Sequence, residues 1–172
     1  AVALNRTADE TKHVVMRRSE KFCELIERFK NAAQTSIELP ERYESILRDY
    51  QKTGIQWMNT LGTLGFGGIL ADDMGLGKTL QVIALLESQN KKPNLVVCPS
   101  SLILNWQDEI EKFAPDLNCV AIYGSAAARG YLMTQIHGCD IAVTSYDYLR
   151  RDIDELEKYE FETVILDEAQ YI

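Results

Sequence analysis

The residues best suited to chemistry sit in one short stretch, Ala71-Asp72-Asp73-Met74-Gly75-Leu76-Gly77-Lys78-Thr79-Leu80. An apolar run precedes it and a helical pattern follows it, the context that a phosphate-binding loop requires. Gly75 and Gly77 permit backbone conformations that turn successive N–H groups inward. The helix opening near Lys78 directs its positive dipole end at the same point. Lys78 brings a full charge to the β- and γ-phosphates of a nucleotide, and Thr79 offers Mg²⁺ a hydroxyl. Asp73, Met74, Leu76 and Leu80 complete the cradle. The pattern departs from the full GxxxxGK[ST] at its first glycine position, which falls on Asp72. A phosphate site needs acidic groups as well, and Asp167-Glu168-Ala169-Gln170 supplies them after the apolar run Val164-Ile165-Leu166. Asp167 is expected to hold the metal, and Glu168 to orient and deprotonate a hydrolytic water.

Both motifs need elements that bring them together. Short, nearly all-apolar runs lie at Gly68–Ala71, Leu95–Cys98, Val120–Tyr123, Ile141–Thr144 and Thr163–Leu166. Such runs predict strands buried on both faces of a parallel sheet. Helical patterns alternate with them: Lys78–Ser88, a face of Leu102, Trp106, Ile110 and Phe113, then Ser125–His137 and Asp152–Glu160. Strand–helix alternation implies right-handed crossovers and a three-layer α/β domain with a mainly parallel central sheet. Its strands' C-terminal ends face one crevice, so Asp167 and Glu168 fall where the loop also opens. Ahead of the sheet, a helix is expected from Glu41 to Leu61, bent at Gly54 and ended by Gly62, Gly65, Gly67 and Gly68. Residues 1–39 read as a helical lead-in, with Phe22, Leu25, Ile26 and Phe29 on one face and Pro40 as a break. The domain then runs over 40–172. Trp106 shares a face with Leu102 and Ile110, which favours a core position over base stacking. The pairs Asp108-Glu109 and Asp154-Glu155 read as solvated helix surface.

Composition sets bounds on function. With 46% hydrophobic and 26% charged residues, the 172-residue chain has the make-up of a soluble domain. No apolar run reaches 18 residues and no signal peptide is visible, so neither a membrane span nor secretion is expected. The start at Ala1, without methionine, is expected of a fragment or a processed chain. Cys23, Cys98, Cys119 and Cys139 form no CxxC pair, and His13 and His137 have no partner at ligand spacing, so a zinc site is not expected. The net charge of −8 is unfavourable for nucleic acid, although the excess lies from Asp140 onward and the preceding part is nearly balanced. Without a basic stripe, this stretch alone is expected to hold DNA or RNA weakly.

Taken together, the motifs resemble superfamily-two helicases, and more narrowly the Swi/Snf family of DNA translocases. The likeness is carried by Leu47-Arg48-Asp49-Tyr50-Gln51 with Gly54, Gln56 and Trp57, by Ala71–Gln81, by Cys98-Pro99-Ser100-Ser101-Leu102 with Asn105-Trp106, by Thr144-Ser145-Tyr146, and by Asp167-Glu168-Ala169-Gln170. It covers the chain from about residue 40. The resemblance implies a RecA-like P-loop lobe with ATP and Mg²⁺ as cofactors. It further implies that Gln51, helped by Arg48, contacts adenine and that Ser100, Ser101 and Thr144 touch nucleic-acid phosphates. Gln170 would relay nucleotide state, though the family's last letter is often histidine.

The same resemblance implies a second RecA-like lobe carrying the arginines that reach the γ-phosphate, duplex DNA as the track, and a place in the cytoplasm, at the nucleoid or in the nucleus. By itself this lobe is expected to turn over ATP negligibly. An RNA-remodelling helicase and a nucleotide-gated scaffold are the competing readings. Gln170 counts against the first, and intact Lys78, Thr79, Asp167 and Glu168 count against the second.

Overall fold

The computed structural model describes residues 19–32, 36–73, 75–89 and 93–171. His13, Met74 and the side chain of Leu25 lie outside the described residues. The chain divides into two compact units, residues 1–37 with 56–69 and residues 38–55 with 70–172. One cut near residue 40 does not reproduce this division, because one long helix contributes to both units.

In the smaller unit, helix α1 (Glu20–Ala32) buries Ile26, and Phe29 meets the ring of Phe66 at 5.8 Å. Helix α2 (Asp49–Leu64) ends in a Schellman turn: Gly65 has φ 76°, and the Phe66 N–H donates to the Leu61 carbonyl at 2.9 Å. The Arg28 guanidinium donates to the Leu64 carbonyl at 3.3 Å, satisfying an end that has no helical partner.

The larger unit holds the sheet. Strands β1 (Asn94–Cys98), β2 (Cys119–Ala121), β3 (Ile141–Ser145) and β4 (Thr163–Leu166) run parallel in the order β2-β3-β1-β4. Asn94 stands level with Ile141 on one side and Thr163 on the other. Strand β1 sends Val96 and Cys98 into one core and Leu95 and Val97 into the other. The first core is closed by helices α3 (Lys78–Gln89) and α4 (Ile103–Phe113). Met133 of α5 (Ala126–Met133), Ile136 and Leu156 close the second. This is the α/β layering that the alternating runs predict.

Several expectations are corrected. No strand forms at residues 68–71: Ile69 is 86% exposed, and no described strand pairs with it. Glycines 67 and 68 supply no side chain to bury there. Strand β4 is an edge, so Val164 and Leu166 are half exposed rather than covered on both faces. The helix expected from Glu41 is a 3-10 turn (Glu41–Tyr43), and α2 starts only at Asp49. Tyr43 is fully buried there, donating its hydroxyl to Glu87 of α3 at 2.7 Å. Helix α2 runs through Gly54 without interruption. Gly54 lies where a Cβ would collide with the Gln81 amide oxygen, so glycine permits close approach. The helices expected over Ser125–His137 and Asp152–Glu160 are shorter: α5, capped by Ser125, and α7 (Ile153–Leu156). Helix α6 (Tyr146–Arg151) was not expected, and the Ser145 hydroxyl caps it. Between these pieces, the buried Arg129 and the partly buried Asp152 form an ion pair at 2.5 Å, and the guanidinium also covers the Tyr148 ring.

Candidate functional site

The glycine loop expected to bind phosphate leads directly into α3. Gly75 and Gly77 have φ 82° and 74°, left-handed values that favour glycine. Lys78 folds over the loop, its ammonium donating to the carbonyls of Asp72 at 2.8 Å and Asp73 at 3.1 Å. Gln81, one turn into α3 and fully buried, donates to the Asp72 carboxylate at 3.0 Å. The residue at the expected first glycine is therefore braced by its side chain.

Gln51, 5% exposed, tethers the loop from α2. Its amide nitrogen donates to the Leu76 carbonyl at 2.9 Å, and its amide oxygen accepts from the Arg48 N–H at 2.9 Å. The exposed Tyr50 hydroxyl donates to the same Leu76 carbonyl at 3.1 Å. An adenine contact by Gln51 requires the amide to give up one of these bonds. Arg48 is exposed.

Across from the loop, β4 delivers the acidic pair. A cleft of about 410 Å³ is lined by Lys78, Thr79, Asp167 and Glu168, among others. Asp167 is fixed from several sides. Its N–H donates to the Val97 carbonyl at 2.8 Å, its carbonyl accepts the Tyr146 hydroxyl at 2.8 Å, and its carboxylate accepts the Trp106 indole N–H at 2.9 Å. Trp106 is 2% exposed, so the core position holds, but its polar edge faces the site. Glu168 has φ 52°, unusual outside glycine and a type of strain that gathers at functional sites. Its carboxylate accepts from the Gln170 amide.

Burial and the Asp167 charge both act on the neighbouring acids. Burial, with the Asp167 charge as a second cause, pushes the Cys98 thiol up to about 12. The Tyr146 phenol is raised as well, first by burial and then by Asp167. Thr79 and Asp167 offer only hard oxygens, the donor set that Mg²⁺ accepts together with phosphate and water. Among the described residues no group of three or more His, Cys, Asp or Glu side chains gathers into an all-protein cage. Glu109 also lines the cleft, unlike the solvated surface residue expected, whereas Asp108, Asp154 and Glu155 are exposed.

The strand ends expected to meet nucleic acid divide. Ser100 and Ser101 are exposed in the turn after β1. Thr144 is corrected: it is fully buried, and its hydroxyl donates to the Ile122 carbonyl at 3.3 Å, so it supports the sheet and presents no atom to a ligand. Gln170 is exposed beside Glu168. Sequence reasoning missed the bracing atoms of Trp106, Tyr146 and Gln81. The alternation of apolar positions places their bodies and carries no signal for their distant partners.

Comparison with known proteins bears on this geometry. The family model described as SNF2-related domain matches residues 50–172. The chain is 40% identical over 136 residues to the putative ATP-dependent helicase/translocase YwqA of Bacillus subtilis, covering 76% of this chain and 15% of that protein. It is 39% identical over 152 residues to TATA-binding protein-associated factor mot1 of Aspergillus fumigatus, covering 79% of this chain and 8% of that protein. The structure of the Sulfolobus solfataricus SWI2/SNF2 ATPase core in complex with dsDNA superimposes with a TM-score of 0.66 at 43% identity, over 73% of this chain and 26% of that one. The chain thus spans a small part of the length of the relatives it matches. No helix among the described residues is long and apolar enough to cross a membrane.

Proposed function

The chain belongs to the SNF2-related domain family, as its amino-terminal ATPase lobe, and from that premise we propose that it binds ATP for a motor that moves along duplex DNA. The observation that carries this reading is the single cleft shared by Lys78, Thr79, Asp167 and Glu168. Phosphate oxygens would take over the contacts that Lys78 now makes with the loop carbonyls. The left-handed turns at Gly75 and Gly77 and the start of α3 present N–H groups to the same oxygens. Arg48 and Gln51 flank the loop on the side proposed for adenine. Thr79 and Asp167 would hold Mg²⁺, which when bound neutralises charge on the β- and γ-phosphates. Glu168 orients the attacking water and takes its proton. Gln170 holds that carboxylate and so can couple its position to a neighbouring lobe.

Ser100 and Ser101 are proposed to meet a DNA backbone, with hydroxyls and N–H groups that read no sequence. Support comes from the neighbour solved with dsDNA. The second lobe would contribute arginines, a contribution of about 10³–10⁵ in rate in related NTPases. The lobe alone is therefore proposed to hydrolyse ATP negligibly.

Phosphate release from the full-length protein tests the proposal. Duplex DNA should stimulate release strongly, RNA should not, and Lys78→Ala should abolish ATP binding by calorimetry while the fold survives. Stimulation by RNA alone favours an RNA remodeller, and ATP affinity unchanged in Lys78→Ala refutes the loop assignment.

A further inference from the structure

Trp106 has the surroundings of a core residue, packed with Ile103 and Ile110 of its own helix against β1 and β3. A ring that only filled this space could be phenylalanine. The indole differs by one N–H, and that N–H donates to Asp167 Oδ2 at 2.9 Å. We infer that Trp106 is a positioning residue that fixes the Asp167 carboxylate for metal binding. This inference rests on the reading of Asp167 as the Mg²⁺-holding carboxylate.

The geometry around Asp167 supports it. Its other oxygen, Oδ1, accepts the N–H of Glu168 at 3.0 Å. Each carboxylate oxygen therefore has one donor, and rotation about the side chain would break both bonds. The main chain is held independently, by Val97 and by the Tyr146 hydroxyl. Trp106 is thus the one described side chain that donates to the carboxylate, and it reaches across 61 positions of sequence. Its ring is 2% exposed and wedged in the core, so the donor is already ordered before any ligand arrives. An indole N–H only donates and does not itself titrate, so it stays a donor to this oxygen. Carboxylates that bind metals are in turn held by such hydrogen bonds, whose loss typically costs about ten- to a hundredfold in metal affinity or activity. Trp106 also lies on the helix that follows the Ser100–Leu102 turn, so the proposed DNA contact and the metal carboxylate are anchored to one rigid element.

The test uses the full-length protein with ADP present and Mn²⁺ as the probe, titrated by electron paramagnetic resonance. Trp106→Phe keeps the ring and removes the donor. It should weaken Mn²⁺ binding about ten- to a hundredfold while leaving ADP affinity in EDTA unchanged. Asp167→Asn should weaken Mn²⁺ binding further, and adding Trp106→Phe to it should change nothing more. Mn²⁺ affinity within twofold of the parent in Trp106→Phe, together with a clear loss in Asp167→Asn, overturns the role of Trp106 alone. Unchanged Mn²⁺ binding in Asp167→Asn overturns the assignment of Asp167 and the inference with it. The indole ¹H–¹⁵N resonance of Trp106 gives a readout that does not depend on how the Phe variant folds. It should shift in Asp167→Asn and on adding Mg²⁺ with ADP, and an unmoved resonance in both cases refutes the contact.

Discussion

Gly77→Ala separates the requirements of the phosphate loop. Gly77 has φ 74°, where an L-residue costs roughly 1–2 kcal/mol. A Cβ there would also stand 2.5 Å from the Gln51 amide nitrogen, against 3.4 Å or more for ordinary contact. Gln51 is 5% exposed, and its amide is held at both ends. Moving it would break its bonds to the Leu76 carbonyl and the Arg48 N–H, worth about 1 kcal/mol each. The sum is about 3–4 kcal/mol against the binding-competent loop, or about two to three powers of ten in ATP affinity. Most of this loss should appear in binding, because the loop can open locally while the sheet stays folded.

The overlap can be isolated. In a Gln51→Ala background the alanine at position 77 meets no amide, so only the left-handed backbone cost remains, about 1–2 kcal/mol. The double-mutant cycle should then show a coupling of about 2 kcal/mol. Titrating a fluorescent ATP analogue into the four full-length proteins measures it, with melting temperatures as a check on folding. An equal loss in both backgrounds, or an ATP affinity within threefold of the parent in Gly77→Ala, would refute the reasoning.

Two other perturbations follow from the same contacts. Glu168→Gln should keep ATP affinity within about threefold and lower DNA-stimulated phosphate release by about 10²–10⁴, the range for a lost general base; a normal rate would remove Glu168 from that role. Asp152→Asn breaks the pair with buried Arg129 and should cost about 3 kcal/mol by denaturant unfolding at neutral pH. Hydrogen bonding from Arg129 is the main cause holding the Asp152 carboxyl below its ordinary value. Its stabilisation is therefore full above the unfolded value near 3.9 and is lost as pH falls through the folded one. The parent should lose stability below about pH 4 through this group, and Asp152→Asn should lack that component of the acid limb; parallel acid curves would contradict it.

The parts of this fold that could be read from sequence are those set by local pattern. Strands β1 and β3 lie within a residue of their apolar runs, because a strand covered on both faces writes its burial into consecutive letters; β4 matches its run although one of its faces is half exposed. The glycines before Lys78 and the carboxylates after β4 are legible because backbone conformation and strand-end position are local requirements. What failed was non-local. The run at 68–71 has strand-like letters, yet a strand exists only through a partner, and none of the described strands pairs with it. Thr144 carries a hydroxyl suited to phosphate, but whether it faces a ligand depends on the chain beside it, where Ile122, just after β2, accepts its bond. The cap at Ser145 was equally invisible until the chain turned there to begin α6.

The residues that do the proposed chemistry and those that align them follow different rules. Lys78, Thr79 and Glu168 are partly exposed, as groups that must meet a ligand have to be. Gln51, Gln81 and Trp106 are 5%, 0% and 2% exposed, and each directs a polar edge from the core toward the site. Gln51 holds the loop at Leu76, Gln81 holds it at Asp72, and Trp106 holds the Asp167 carboxylate. Buried polar atoms are costly without partners, so these bonds are needed by the core as much as by the site. The consequence is mechanical: the loop and the Asp167 carboxylate cannot shift without taking the partner from one of these buried amide or indole nitrogens. A core built from aliphatic side chains alone would pack as well and would leave both free to wander. The precision of the site is thus a property of its hydrophobic interior, delivered through the few polar atoms that interior contains.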